Sequence, residues 1–167
     1  MIHTPNNSHP LPIELKEKMA LSGKRVAQIE IKPKGDVFHK LWKANPHHIP
    51  NLSPTLVQNC QLHEGEIGTV GCVLHWNYFY EGKDCVAKTR ILAIDDEKKL
   101  TTYQVVEGDF LKLYKNIYMY CHVDTKGPNH VVTWTFEYEK LRPDVPDPDA
   151  LLDFYKRLTK DIETKHL

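Results

Sequence analysis

The chain predicts an α+β fold: a seven-stranded curved antiparallel sheet wrapped around a long C-terminal helix, with two short helices after the first strand. Three observations carry this. Residues 69–95 read as one long hairpin around Glu81-Gly82, and both arms are rich in β-branched and aromatic residues and longer than the usual strand of about 5–6 residues. Residues 131–140 alternate cleanly, with Val132, Trp134, Phe136 and Tyr138 on one face and Thr133, Thr135, Glu137 and Glu139 on the other. Residues 148–165 carry a helical apolar stripe of Leu151, Leu152, Phe154, Tyr155, Leu158 and Ile162. Long strands in a small chain imply strong curvature, and a curved sheet closed by one wide amphipathic helix encloses an interior space. That points to a hollow, ligand-holding domain.

The elements follow in order. Residues 1–18 contain three prolines among mixed polar residues and read as a flexible N-terminal arm ahead of a single domain over 19–167. Residues 24–32 alternate as a strand, with Ala27, Ile29 and Ile31 on one face. Residues 36–43 form a short helix with Val37, Phe38, Leu41 and Trp42 on one face. Pro46, Pro50 and Pro54 limit the next helix to a turn or two. Residues 55–62 are a strand, and 63–68 a loop with two glycines. After the long hairpin, 95–98 make a polar turn, 100–106 a strand, 107–109 a turn and 115–124 another strand. Asp147 before Pro148 is a helix start signal, with an N-cap carboxylate and proline at the first helical position.

Composition narrows the function. The 167 residues suit one domain with a sizeable core. Lys plus Arg and Asp plus Glu both number 22, so the net charge is zero and nucleic acid is not an expected partner. No apolar run approaches the roughly 18 residues of a membrane span, so no membrane insertion is expected. Cys60, Cys72, Cys85 and Cys121 form no C-x-x-C pair, and no secretory signal precedes them. They fall in predicted strands, where a thiol serves as a small apolar filler. The expected setting is a reducing, cytoplasmic one.

Several segments together resemble the plant major latex protein-like family within the birch-pollen-allergen (START-like) superfamily. They are Pro46-His47-His48-Ile49, Leu62-His63-Glu64-Gly65, Gly68-Thr69-Val70-Gly71, Trp76-Asn77-Tyr78, Val106-Glu107-Gly108-Asp109, 134–140, 144–148 and 159–163. The resemblance covers residues 20–167. It implies a large internal apolar cavity that binds a small hydrophobic plant metabolite or hormone, in defence, stress or specialised metabolism. A minority of the wider superfamily catalyse condensations, cyclisations or isomerisations, so fold alone leaves function open.

Candidate site residues divide by chemistry. The loop 64–71 lacks the G-x-x-x-x-G-K-[ST] pattern, and no helix start follows it, so it reads as a flexible connection and not a phosphate cradle. Adjacent His47 and His48 lack a third ligand, so no metal site is expected, and no cofactor. Alternation puts Val73, His75 and Asn77 on one face, and alignment to the superfamily pattern makes that the cavity side. An inward His75 is a general acid/base candidate, since histidine titrates near neutrality, or a hydrogen-bonding partner for a ligand oxygen. Other expected lining residues are Gly71, Thr89 and Ile91, then Thr101, Tyr103 and Val105, then Ile117, Met119 and Cys121. Val132, Trp134, Phe136 and Tyr138 continue the set, and the final helix adds Leu151, Phe154, Tyr155 and Leu158. Tyr103 and Tyr155 are candidates to hold a carbonyl or hydroxyl, and in an enzyme they would act beside His75. Tyr118, Tyr120 and His122 should face outward, as solvated surface or a contact in a weak homodimer; otherwise the chain is a monomer. Two readings stay open: a binder of an apolar metabolite, and a cofactor-independent cyclase or isomerase using the same interior.

Overall fold

The computed structural model describes residues 10, 12–15, 21–32, 34–125 and 127–166. Most of the arm expected at 1–18 lies outside them. In chain order the elements are β1 (Ser22–Ile31), α1 (Gly35–Ala44), a 3₁₀ turn (Pro46–His48), α2 (Ile49–Leu52), β2 (Val57–Glu64) and β3 (Val73–Tyr80). Then come β4 (Lys83–Asp95), β5 (Leu100–Gly108), a 3₁₀ turn (Asp109–Lys112), β6 (Tyr114–Asp124), β7 (His130–Lys140) and α3 (Asp149–His166). The strands form one sheet of order β1-β7-β6-β5-β4-β3-β2, antiparallel at every pair. The class and element order are those the sequence predicts.

Local chemistry explains the connections. Glu81 and Gly82 both take positive φ, 50° and 76°, which closes the β3–β4 hairpin in two residues with the twist the strands require. The β4–β5 ladder shifts register between Lys88 and Thr89 and again between Ile91 and Ala93. Such irregularities bend a strand, and a 13-residue β4 needs them to curve around a core. Gly65 has φ 83°, and a Cβ there would lie 3.1 Å from the Cys72 Cα, so the glycine loop needs glycine to close against the start of β3.

The core fills the concave side. Ala27, Ile29 and Ile31 of β1 are buried as their alternation requires. On α1, Phe38, Leu41 and Trp42 are buried, but Val37 stays 51% exposed. The expected four-residue face is therefore three residues wide, because a ten-residue helix presents only a narrow stripe to the sheet. Polar contacts hold α3 in place along its length. Asp147, just before it, meets Arg25, Lys140 and the Tyr138 hydroxyl, each at 2.9 Å. Further along, the Trp134 indole N–H donates to Thr159 Oγ1 at 3.0 Å, and Ser53 Oγ donates to Asp161 Oδ2 at 2.7 Å. The Lys160 ammonium donates to the Glu30 carbonyl at 2.8 Å. The helix is thus tied to β1, β7 and the α2 corner by contacts far apart in sequence.

Candidate functional site

The inner face of the sheet and α3 enclose an apolar chamber. Strands β3 and β4 supply Trp76, Tyr78, Ala87 and Thr89; β5 and β6 supply Tyr103, Val105, Ile117 and Met119. Trp134 comes from β7, and Leu151, Phe154, Tyr155 and Leu158 from α3. Trp42 of α1, Val57 and Phe110 complete the wall. About 50 Å³ of this interior is open to the centre of a water molecule. Pockets that hold drug-sized ligands run to roughly 300–1,000 Å³, so the large cavity implied by the resemblance is here mostly filled by rings.

Those rings form one connected cluster. Trp42 lies edge-on to Trp134 at 4.8 Å and 78°, and its ring centre is 6.0 Å from that of Trp76. Tyr155 packs against Trp134 at 4.5 Å and Phe136 at 5.1 Å. Toward one end, Phe110 stacks parallel to Tyr78 at 6.0 Å and meets Tyr80 at 5.1 Å. Phe110 is only half-buried, because it rides on the short 3₁₀ turn and not on a strand. Asp109 pins that turn by accepting the Val86 N–H at 2.8 Å, and this hydrogen bond holds its carboxyl below the usual carboxylate range.

Most polar atoms in the wall are already partnered. Tyr103 donates its hydroxyl to the Trp42 carbonyl at 2.7 Å, the Trp76 indole N–H donates to Thr89 Oγ1 at 2.9 Å, and the Tyr155 hydroxyl faces Met119 Sδ at 3.3 Å. Two are not: Trp42 Nε1 and Tyr78 OH are buried without a hydrogen-bond partner. Burial pushes the phenols of Tyr78, Tyr103 and Tyr155 up, so all three stay neutral at physiological pH. The described lining holds no Asp, Glu, His, Lys, Arg or Cys.

The facing of β3 is corrected. Leu74, Trp76 and Tyr78 point into the core, and His75 and Asn77 point to the other side of the sheet. The ladder pairs His75 with Lys88 and Gln61, on the face where Lys88 meets Glu107 at 3.0 Å. Asn77 accepts from Asn59 Nδ2 at 3.1 Å on that same outer face. Val73 is buried but stands outside the core cluster. A one-residue slip inverts every side chain of a strand, and alignment to a distant pattern carried that slip. The larger apolar set, Leu74, Trp76 and Tyr78, marked the buried face in the sequence itself.

Six other expected residues point inward but lie behind the chamber wall. Ile91, Thr101, Cys121 and Phe136 are buried in the core, and Tyr138 closes its far end through Asp147. Val132 is fully buried there, and Gly71 sits in the loop, its N–H bonded to the Ile91 carbonyl. Burial raises the Cys121 thiol strongly and pushes Cys60 up to about 12, so neither is an activated nucleophile. Trp42, Val57, Trp76, Tyr78, Ala87 and Phe110 were not anticipated as lining. The two-residue period of the hairpin pointed to Trp76, Tyr78 and Ala87, and the α1 stripe to Trp42. Phe110 sits in a turn with no periodic signal.

Elsewhere, His47 and His48 are exposed with ring centres 4.3 Å apart, and burial together with the charge of His48 lowers the His47 pKa. On the outer face Tyr118 accepts from Gln104 at 3.4 Å, and Tyr120 donates to Glu137 at 3.3 Å. Among the described residues no three His, Cys, Asp or Glu come together as a metal site, and no helix is long and apolar enough to cross a membrane.

Known proteins place this geometry. The pattern of the pathogenesis-related protein Bet v 1 family matches residues 20–167. MLP-like protein 31 of Arabidopsis thaliana is 42% identical over 154 residues, covering 91% of this chain and 90% of that protein. MLP-like protein 28 of the same plant is also 42% identical, over 163 residues and 95% of this chain; the chain spans 48% of its length. The crystal structure of ginseng major latex-like protein 151 from Panax ginseng superposes with a TM-score of 0.86 at 50% identity, covering 88% of this chain and 99% of that one. Truncated norcoclaurine synthase from Thalictrum flavum superposes with a TM-score of 0.67 at 18% identity over 87% of this chain and 96% of that one, a likeness of fold alone. The chain therefore belongs to the Bet v 1 family and is similar to its major latex protein-like members.

Proposed function

We propose that this Bet v 1 family member binds a small hydrophobic plant metabolite or hormone between sheet and helix, acting as a carrier or sensor in defence or specialised metabolism. The observation that carries the reading is the wall itself: an almost wholly apolar, aromatic lining whose few polar atoms are neutral. Transfer of ring surface out of water supplies affinity at roughly 25 cal/mol per Å², less the cost of ordering. Because the resting space is small, the ligand takes the place of protein rings. Phe110, half-buried on a four-residue 3₁₀ turn, is the ring placed to swing aside. Free thiols fit the reducing cytoplasm.

A cyclase or isomerase reading finds less support. It needs a group that trades protons near neutrality, and His75 lies on the far side of the sheet. The Tyr103 hydroxyl already donates its hydrogen bond to the Trp42 carbonyl, and burial raises the Tyr155 phenol. The test is native mass spectrometry of protein purified from its own tissue, with identification of what it carries. One unaltered apolar molecule per chain is expected. An empty protein argues against the binder, and a mixture of a pathway intermediate with its cyclised product argues for the enzyme.

A further inference from the structure

The chamber's partnered and unpartnered donors differ in a way that names the ligand's chemistry. Trp76 and Trp134 also bury indole N–H groups, and each meets a threonine hydroxyl placed to receive it. Trp42 and Tyr78 are 3% and 7% exposed, line the same chamber, and have no acceptor for Nε1 or OH. A buried donor without an acceptor is unfavourable, because it gives up its hydrogen bond to water and gains none in return. Both sit on one side of the interior: Trp42 stacks on Trp76, and Tyr78 is the next inward residue on β3, roughly 7 Å along the strand.

From this we infer that the ligand is a neutral ring compound bearing a carbonyl-type oxygen, and that Trp42 Nε1–H and Tyr78 O–H are its hydrogen-bond donors. This rests on the binding function proposed above and adds the functional group. Indole N–H can only donate, so the matching ligand atom must accept. An amine or other cation fits poorly: the described wall offers no carboxylate, and a buried unpaired charge is expensive. The aromatic faces that attract cations are largely covered by other rings, as in the edge-on contact of Trp42 with Trp134.

The test uses two probes of one shape, 2-acetylnaphthalene and 2-isopropenylnaphthalene, which differ by a carbonyl oxygen replaced with a methylene. Binding is followed by calorimetry, and the Trp42 indole N–H by NMR, assigned by its loss in Trp42→Phe. The wild type should bind the ketone roughly tenfold tighter. The Trp42 indole proton should shift with the ketone and not with the hydrocarbon. Tyr78→Phe, which removes one atom, should cut the preference severalfold by weakening ketone binding. Thr101→Val removes the third unpartnered buried polar atom among the described residues, a hydroxyl outside the chamber lining, and should leave the preference intact. Equal affinity for both probes would overturn the acceptor assignment and leave the binding function standing. A naphthyl trimethylammonium ion binding more tightly than the ketone would also overturn it. If neither naphthalene binds up to its solubility limit, the binding function itself falls and the assignment with it.

Discussion

Two walls of the same interior end their polar atoms differently. Where β7 meets α3, the large buried donors have protein partners: Trp134 donates to Thr159, and Tyr138 to Asp147. Where α1 meets β3, large side chains are buried just as deeply, yet Trp42 and Tyr78 keep unpartnered donors. Hydrophobic burial is equal on both sides, so it cannot be what separates them. The β7–α3 wall is built as a fastening for the helix, and its hydrogen bonds are spent inside the protein. The α1–β3 wall leaves hydrogen-bonding capacity unused, which is what the proposed ligand site requires.

The largest effect expected from this contrast is at Trp134, fully buried and locked to α3. Trp134→Ala should cost about 3–5 kcal/mol in urea unfolding. A loss under 1 kcal/mol would mean that β7–α3 is not the fastening wall. Thr159→Val keeps the shape but strands the Trp134 N–H, and should cost about 1–3 kcal/mol. Thr101→Val makes the opposite change, deleting a hydroxyl that has no partner, and should stabilise by about 1 kcal/mol. If both threonine variants move stability in the same direction, partnering does not govern these sites.

Acid should act on the fastening wall. The hydrogen bond from Lys140, then that from Tyr138, holds the Asp147 carboxyl below its ordinary value. A depressed carboxylate pKa contributes stability above the unfolded value near 3.9, and that contribution is lost as pH falls through the folded value. Unfolding of the wild type should therefore become easier from about pH 4 downward. In Asp147→Asn that slope should flatten, read by tryptophan fluorescence in urea at successive pH values. The smallest effect is expected at His75. On the outer sheet face, His75→Ala should change stability by no more than about 0.5 kcal/mol and leave ligand affinity untouched. A loss of binding there would return the residue to the site.

Much was legible in the sequence because the deciding signals are local. Alternation in 131–140, the Glu81-Gly82 turn and the stripe on α3 each depend on neighbours within a turn or two, and each element formed as its pattern required. Inward faces of β5, β6 and β7 followed from the same period, which is why Tyr103, Met119 and Trp134 are found on the chamber wall. Leu74, Trp76 and Tyr78 mark one face of β3 as the more apolar, and their pairing with Thr89, Ala87 and Cys85 fits that face to the interior. Tertiary structure alone decided two things. It set how full the interior is, because ring packing depends on the approach of α1 and α3. It also set which donors are spent, since Tyr103 reaches the Trp42 carbonyl across 61 positions and Trp134 reaches Thr159 across 25. Composition lists the donors in this interior; only the three-dimensional chain determines which of them stay unpartnered.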